Sequence, residues 1–277
     1  LFQILKTKIM IKKILIGLAS VIGLAFIVIY FMAQPKLEED GSYSPSSLAL
    51  SLGTVSKTDF EDIKYTKYQG SRSKILVIFT EQKNLEMKNG KFFSTGNHPI
   101  EALVPMLHLK NAGFDFEIVT PTGKPVVFEM WAFPEEDANI KAIYNEYKSS
   151  FEQPKKLTEF ITNSFANDSS YAAVFVPGGH GAMIGIPEDR NVAKTLSWAH
   201  NRDLFTITLC HGPGALLSTT LDNQKFLYDG YKMAVFPDAV DEMTPMIGYL
   251  PGHMKNGVSE RLKNLGATIV NTESDKT

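Results

Sequence analysis

Residues 74–80 read Lys-Ile-Leu-Val-Ile-Phe-Thr, an apolar run too short for a core helix and closed at both ends by polar residues. A strand needs apolar side chains at every position only when both of its faces are covered, so such a run predicts a buried parallel strand. Runs of the same kind return at 114–120, 171–176 and 204–209, with further strand candidates at 231–236 and 268–270. Between them, residues 98–113 place Ile100, Leu103 and Leu107 at helical spacing and end on Gly113, a residue suited to a helix C-terminus. Residues 192–201 and 212–220 also read as helices. Strands alternating with helices predict an α/β domain, doubly wound around a mostly parallel sheet. Ligands in such domains bind at the carboxyl ends of the strands. Residues 125–165 break the rhythm with Trp131, Pro134 and the acidic Glu135-Glu136-Asp137, then a helical stretch near 140–149. This segment is expected to be an inserted lobe able to roof the site.

Residues 14–33 carry no charge, and 20 residues of helix span the roughly 30 Å hydrocarbon core of a bilayer. Lys6, Lys8, Lys12 and Lys13 precede the run, and Glu38, Glu39 and Asp40 follow it. That asymmetry predicts a single-pass anchor over residues 1–33, with the domain on the non-cytoplasmic side of the membrane. A cleaved signal peptide is the competing reading, but Phe31-Met32-Ala33-Gln34 is a poor small-x-small cleavage site. Residues 34–73, rich in Ser, Gly, Pro, Lys and Asp, read as a spacer partly packed on the domain, and residues 74–277 as the domain itself. The chain runs out in polar residues 271–277 directly after a strand candidate, where a covering helix is expected; a truncated C-terminus is the expectation.

The formal net charge of -2 supplies no clustered basic surface, so nucleic acid is not an expected partner. The single cysteine, Cys210, excludes an intrachain disulfide and a cysteine-rich zinc site. A lone cysteine is by base rate a buried small hydrophobe. Its neighbours argue otherwise: the run Leu204-Phe-Thr-Ile-Thr-Leu leads into Cys210-His211-Gly212-Pro213-Gly214-Ala215, a strand turning sharply into small residues. Such an elbow exposes a nucleophile, and a helix N-terminus behind it is expected to lower the thiol pKa and offer oxyanion donors. His211 can serve the thiol as acid or base. Asp238 is the best-placed carboxylate to orient that histidine, with Asp241 the fallback. The loop Pro177-Gly178-Gly179-His180-Gly181 follows another strand. Gly178 and Gly179 can bring backbone N–H groups close to a substrate or oxyanion, and His180 can line the pocket or simply satisfy the fold. Glu101, at the start of a helix, can share a proton with the thiol or act as an ordinary first-turn acid.

Long strings in these segments resemble the ThiJ/PfpI superfamily, and closely its HchA branch of heat-shock chaperones and glutathione-independent glyoxalase III enzymes. They include residues 89–101 (Asn-Gly-Lys-Phe-Phe-Ser-Thr-Gly-Asn-His-Pro-Ile-Glu), 151–157, 176–182, 209–213, 234–239 and 247–253 (Ile-Gly-Tyr-Leu-Pro-Gly-His). The resemblance implies a flavodoxin-like, class I glutamine amidotransferase-like fold and a Cys210-His211-Asp238 triad with Glu101 beside the thiol. It also implies conversion of the 2-oxoaldehyde methylglyoxal to D-lactate through a cysteine hemithioacetal, with no cofactor. Deglycase activity, binding of unfolded or glycated proteins, a homodimer and, in most relatives, a cytoplasmic location go with it. The branch often holds a metal on two histidines and a glutamate; Lys110, Asp115 and Tyr147 occupy the matching positions, so loss of that metal is expected. The amidotransferase string Cys-x-Gly-x-Gln is absent. A stress holdase with a vestigial site is the alternative from another functional class, and a cysteine peptidase a weaker third.

Overall fold

The computed structural model describes residues 2–165 and 169–271, with side chains from residue 10 onward. The expected C-terminal truncation concerns residues 272–277, which lie outside the described residues.

The first helix, α1 (Phe2–Met32), leaves the side chains of residues 10–32 almost all exposed. Its span Met10–Met32 has a mean hydropathy of 2.7 and is, among the described residues, the one helix long and apolar enough to cross a membrane. A signal sequence has the same properties.

The spacer is structured. Strands β1 (Lys36–Leu37) and β2 (Tyr43–Ser44) join β4 (Asn84–Glu86) and β5 (Phe92–Ser94) in a small sheet ordered β1-β2-β5-β4. Helix α2 (Ser47–Gly53) is capped by Ser46, whose hydroxyl accepts from the Ala49 N–H and donates to the Ile247 carbonyl. One serine therefore starts a helix and ties the spacer to the far end of the chain.

The main sheet contains β3 (Lys74–Ile78), β6 (Asp115–Thr120), β7 (Lys155–Lys156), β8 (Tyr171–Val176) and β9 (Phe205–Thr208), in the order β7-β6-β3-β8-β9. Every neighbouring pair is parallel. Alternation along β3 explains its unbroken apolar run. Ile75 and Val77 face one layer with Leu103, Met106, Ile140 and Phe151; Leu76 and Ile78 face the other with Val174, Leu196, Leu217 and Leu262. Each of these strand side chains is at most 1% exposed, a burial that stabilises by about 1.5–3 kcal/mol apiece. Helices α3 (Pro99–Asn111) and α4 (Ala138–Glu152) cover the first face; α5 (Leu157–Ser164), α6 (Arg190–Asn201) and α8 (Val258–Asn264) cover the second.

Residues 125–165, expected as a lobe inserted on the main sheet, are continuous with it: β7 extends the sheet, and α4 lays Ile140, Ile143 and Phe151 on the core beside α3. The helical spacing of those apolar residues matches the face of the sheet, so the segment belongs to the fold's own rhythm. The strand candidates near 231 and 268 are short, β10 (Lys232–Met233) and β11 (Thr268–Ile269), and pair with each other away from the main sheet. Beyond Met233 the side-chain amide of Asn271 bonds both the N–H and the carbonyl of Val235, taking the place of a strand ladder. Between β10 and β11, α7 (Asp238–Met243) precedes α8.

Candidate active site

The carboxyl ends of β3, β8 and β9 converge on one cleft. After β9 the backbone of Cys210 adopts φ +53°, a left-handed conformation rare for a residue with a side chain. The Gly212 N–H donates to the Leu209 carbonyl at 2.6 Å, closing the elbow, and residues Gly212–Asn223 continue as a kinked 3-10 helix. This is the sharp strand-to-helix turn that the small residues predict. Cys210 keeps some exposed surface, although protein atoms crowd it on nearly every side.

The loop after β8 supplies the opposite wall. A methyl group on Gly178 would collide with Glu101 Oε2 and lie 2.7 Å from Cys210 Cβ. Glu101, in the first turn of α3, and Cys210 thus face each other across a residue that must lack a side chain. Gly179 has φ +99°, and a side chain there would strike the Gly96 carbonyl and the His98 N–H. Beneath this loop, Asn97 binds the Thr80 N–H and carbonyl and the Val127 carbonyl, clamping the end of β3 to the segment before Glu129.

His211 Nδ1 lies 3.3 Å from Cys210 Sγ, and its Nε2 lies 2.8 Å from Asp241 Oδ2. The other oxygen, Asp241 Oδ1, is 2.9 Å from His180 Nε2. All three side chains are buried, and the two imidazole centroids are 4.0 Å apart. Because an ionised carboxylate only accepts, both Nε2 atoms carry protons toward Asp241, leaving His211 Nδ1 to accept from the thiol.

The electrostatics follow from these contacts. Burial alone would raise the Asp241 pKa, but the two imidazoles outweigh it and hold the carboxyl well below its ordinary range. Burial followed by the neighbouring His180 lowers His211, so His211 rests neutral. Burial also opposes charging of His180, yet Asp241 overcomes it and the pKa rises. The Cys210 thiol is pushed well above its usual value by burial and then by the charge of Glu101. That reverses the expected depressed pKa: the Gly179 N–H, facing the sulfur, favours the thiolate, but desolvation wins.

Of the residues singled out in the sequence, Cys210, His211, Glu101, Gly178, Gly179 and His180 come together. Asp238 does not. Its carboxylate accepts from the Ser259 and Glu260 N–H groups at 3.0 and 2.8 Å and so caps α8. Three residues further along, one turn of α7 carries Asp241 inward to the histidines, which makes the fallback the partner.

His180, His211 and Asp241 are also the one cluster, among the described residues, spaced to hold a metal ion. Both oxygens of Asp241 are engaged by imidazole N–H groups, and a cation would have to displace those bonds.

Proteins called protein/nucleic acid deglycase HchA, from several strains of Staphylococcus aureus, are 45% identical to this chain over 241 residues. The match covers 86% of this chain and 82% of theirs. The chain belongs to the HchA family. No family model matches it. Two solved structures share the fold of this HchA-family chain. The Rapid Encystment Protein of Francisella tularensis has a TM-score of 0.59 at 17% identity, over 74% of this chain and 86% of its own. Glyoxalase III of Candida albicans has a TM-score of 0.52 at 21% identity, over 73% and 83%.

At the positions compared above with a metal site of the HchA branch, Tyr147 donates a hydrogen bond to Asp115 Oδ1 at 3.0 Å, and Lys110 pairs with Glu146. Several residues of this HchA-family site escaped the sequence reading. Glu129 is 1% exposed and accepts a hydrogen bond from the Thr95 hydroxyl; Trp131 and Tyr249 pack edge to face at 5.7 Å, and Tyr249 stands 5.9 Å from the His180 ring. Thr95, His98 and Tyr249 sit inside the strings shared with the family, which was the available signal. Glu129 lay in the segment expected to roof the site, with nothing in its own neighbours to single it out.

Proposed function

We propose that this chain is a cysteine-dependent enzyme that converts 2-oxoaldehydes such as methylglyoxal to 2-hydroxy acids, and that releases the same aldehydes from early adducts with amino groups. The observation that carries the reading is the apposition of Cys210 and Glu101 across Gly178. A neutral thiol, a neutral imidazole and a carboxylate in one cleft suit addition to an aldehyde followed by proton transfer between its two carbons. The deglycase name of the relatives and the glyoxalase III name of a structural neighbour agree with it.

In this reading the thiol proton passes to His211 Nδ1 as sulfur attacks the aldehyde carbon. The imidazolium, stabilised by Asp241, returns it to the aldehyde oxygen to complete a hemithioacetal. Glu101 takes the hydrogen from C1 and delivers it to C2, and the C1 hydroxyl proton is exchanged for one on the C2 oxygen, giving a thioester of the 2-hydroxy acid. Water then cleaves the thioester and restores the thiol. Atoms balance at each stage, with water the sole co-reactant. Glycated nucleotides are small substrates open to the same chemistry; a net charge of -2 disfavours only a surface that grips a nucleic-acid backbone. The test is D-lactate formation from methylglyoxal without glutathione by the full chain, beside Cys210→Ala. Turnover that vanishes in the variant supports the reading, and turnover equal in both sinks it.

Helix α1 would hold this site at a membrane, with the domain on the non-cytoplasmic face by the lysine asymmetry. Extraction of cell membranes with alkaline carbonate tests it: an integral anchor stays with the lipid, and a released chain refutes the anchor.

A further inference from the structure

Three buried polar atoms in the cleft have no hydrogen-bond partner: His98 Nδ1, Glu101 Oε2 and Glu129 Oε2. Native folds rarely leave such atoms orphaned, and a cluster of them marks a place shaped for something other than protein. Glu101 already has a role in the reaction above. Glu129 does not, although it is the more deeply buried of the two carboxyl groups.

Nothing in the local fold requires an acid at this position. The short 3-10 turn Met130–Ala132 is closed by the Glu129 carbonyl and anchored by the Trp131 indole, which donates to the Ser94 carbonyl. The Glu129 N–H donates to the Asn97 carbonyl. The carboxyl group uses one oxygen, Oε1, to accept from Thr95, and leaves Oε2 unpaired. His98, His180, Glu101, Cys210 and Tyr249 are the titratable groups within its electrostatic reach. Burial raises its pKa above the ordinary carboxylate value, against the pull of His98 and His180, which favours the protonated form. The hemithioacetal reaction lacks one component. As Glu101 removes the C1 hydrogen, the C2 oxygen gains negative charge in a water-poor cleft and needs a proton.

We infer that Glu129 is the second proton carrier of this site, donating from Oε2 to the C2 oxygen of the bound 2-oxoaldehyde while Glu101 takes the C1 hydrogen. The inference rests on the glyoxalase reading. The C1–H electron pair becomes the C1–C2 double bond, and the C2–O π pair takes the proton of Glu129, giving an enediol attached to sulfur. Glu101 then protonates C2, and the C1 hydroxyl returns its proton to Glu129 as the thioester carbonyl forms. The two carboxyl groups end as they began, and no oxidant or reductant is involved.

The experiment compares glutathione-free methylglyoxal turnover by the full chain with that of Cys210→Ala, Glu129→Gln and Glu129→Asp. Glutamine keeps the volume and the acceptor for Thr95 but cannot carry a proton; aspartate keeps the proton and is one methylene short. Proton transfer predicts a kcat reduced about 100-fold in Glu129→Gln with KM little changed, and a higher kcat in Glu129→Asp than in Glu129→Gln. Mass spectrometry of the Gln variant should show methylglyoxal trapped on Cys210. A merely structural role predicts the reverse order, with glutamine better than aspartate, and that order overturns the inference. On the unmodified chain, C1-deuterated methylglyoxal should show a solvent isotope effect on the same step as the C1 effect; its absence overturns the inference even if neither variant folds. A Gln variant within threefold of the unmodified chain sinks the inference alone. Absence of Cys210-dependent turnover in the unmodified chain sinks it together with the glyoxalase reading.

Discussion

Asp241 Oδ2 lies 2.8 Å from His211 Nε2, while Asp238, one helical turn earlier, points away to cap α8. One acid orients the His211 imidazole and the other holds a helix end, and the two positions predict different consequences of substitution. Asp241→Ala leaves two buried imidazole N–H groups without their acceptor and should cost about 3–5 kcal/mol together with most of the activity. Asp238→Ala should cost about 1 kcal/mol, the worth of a helix cap, and leave kcat near that of the unmodified chain. Thermal unfolding and methylglyoxal turnover on both variants check the assignment. Full activity in Asp241→Ala would refute it.

Cys210 should be a slow nucleophile toward a simple alkylating agent. Burial and the charge of Glu101 hold the thiol up, so the thiolate fraction at neutral pH falls below that of a free cysteine. Iodoacetamide labelling should keep accelerating as pH rises past the ordinary thiol range. Glu101→Gln removes the nearby negative charge, so labelling should speed up while turnover drops about 100-fold. Slower labelling in that variant would show the wrong sign for the Glu101–Cys210 coupling.

Gly178→Ala tests the apposition itself. The added methyl group must push the Glu101 carboxylate aside or displace Cys210. Turnover should fall at least tenfold with KM little changed, because the methyl spoils the alignment of the reacting groups. Unchanged kcat would mean that the contact across Gly178 is not used.

His180 should stabilise the fold more in acid than in base. Its folded pKa is raised above the unfolded value, so its contribution is complete below about pH 6.5 and fades as pH rises through the folded value. His180→Gln should therefore lower the unfolding midpoint more at about pH 5.5 than at about pH 8.5. The opposite dependence would mean that His211, whose pKa is lowered, carries the charge in its place.

The parallel-sheet core could be read from the chain because it depends on local pattern. A strand with both faces covered must be apolar throughout, and residues 74–78 and 171–176 announce that in any context. The elbow at Cys210 was legible for the same reason, since a strand followed by His-Gly-Pro-Gly leaves the backbone few alternatives to a sharp turn. Glu101 and the two glycines after β8 were legible as candidates but not as neighbours. Their meeting depends on β3 and β8 lying side by side in parallel. The choice of Asp241 over Asp238 was beyond the sequence, because both acids sit in the same short helix and only its packing decides which one turns inward. Glu129 was likewise invisible: residues 125–165 look like an interruption until α4 is docked on α3. The charge state of Cys210 was decided last of all, by tertiary structure alone. A helix N-terminus lowers a thiol pKa and is readable in sequence; desolvation and a carboxylate brought from another helix raise it, and they act only once the chain has closed around the sulfur.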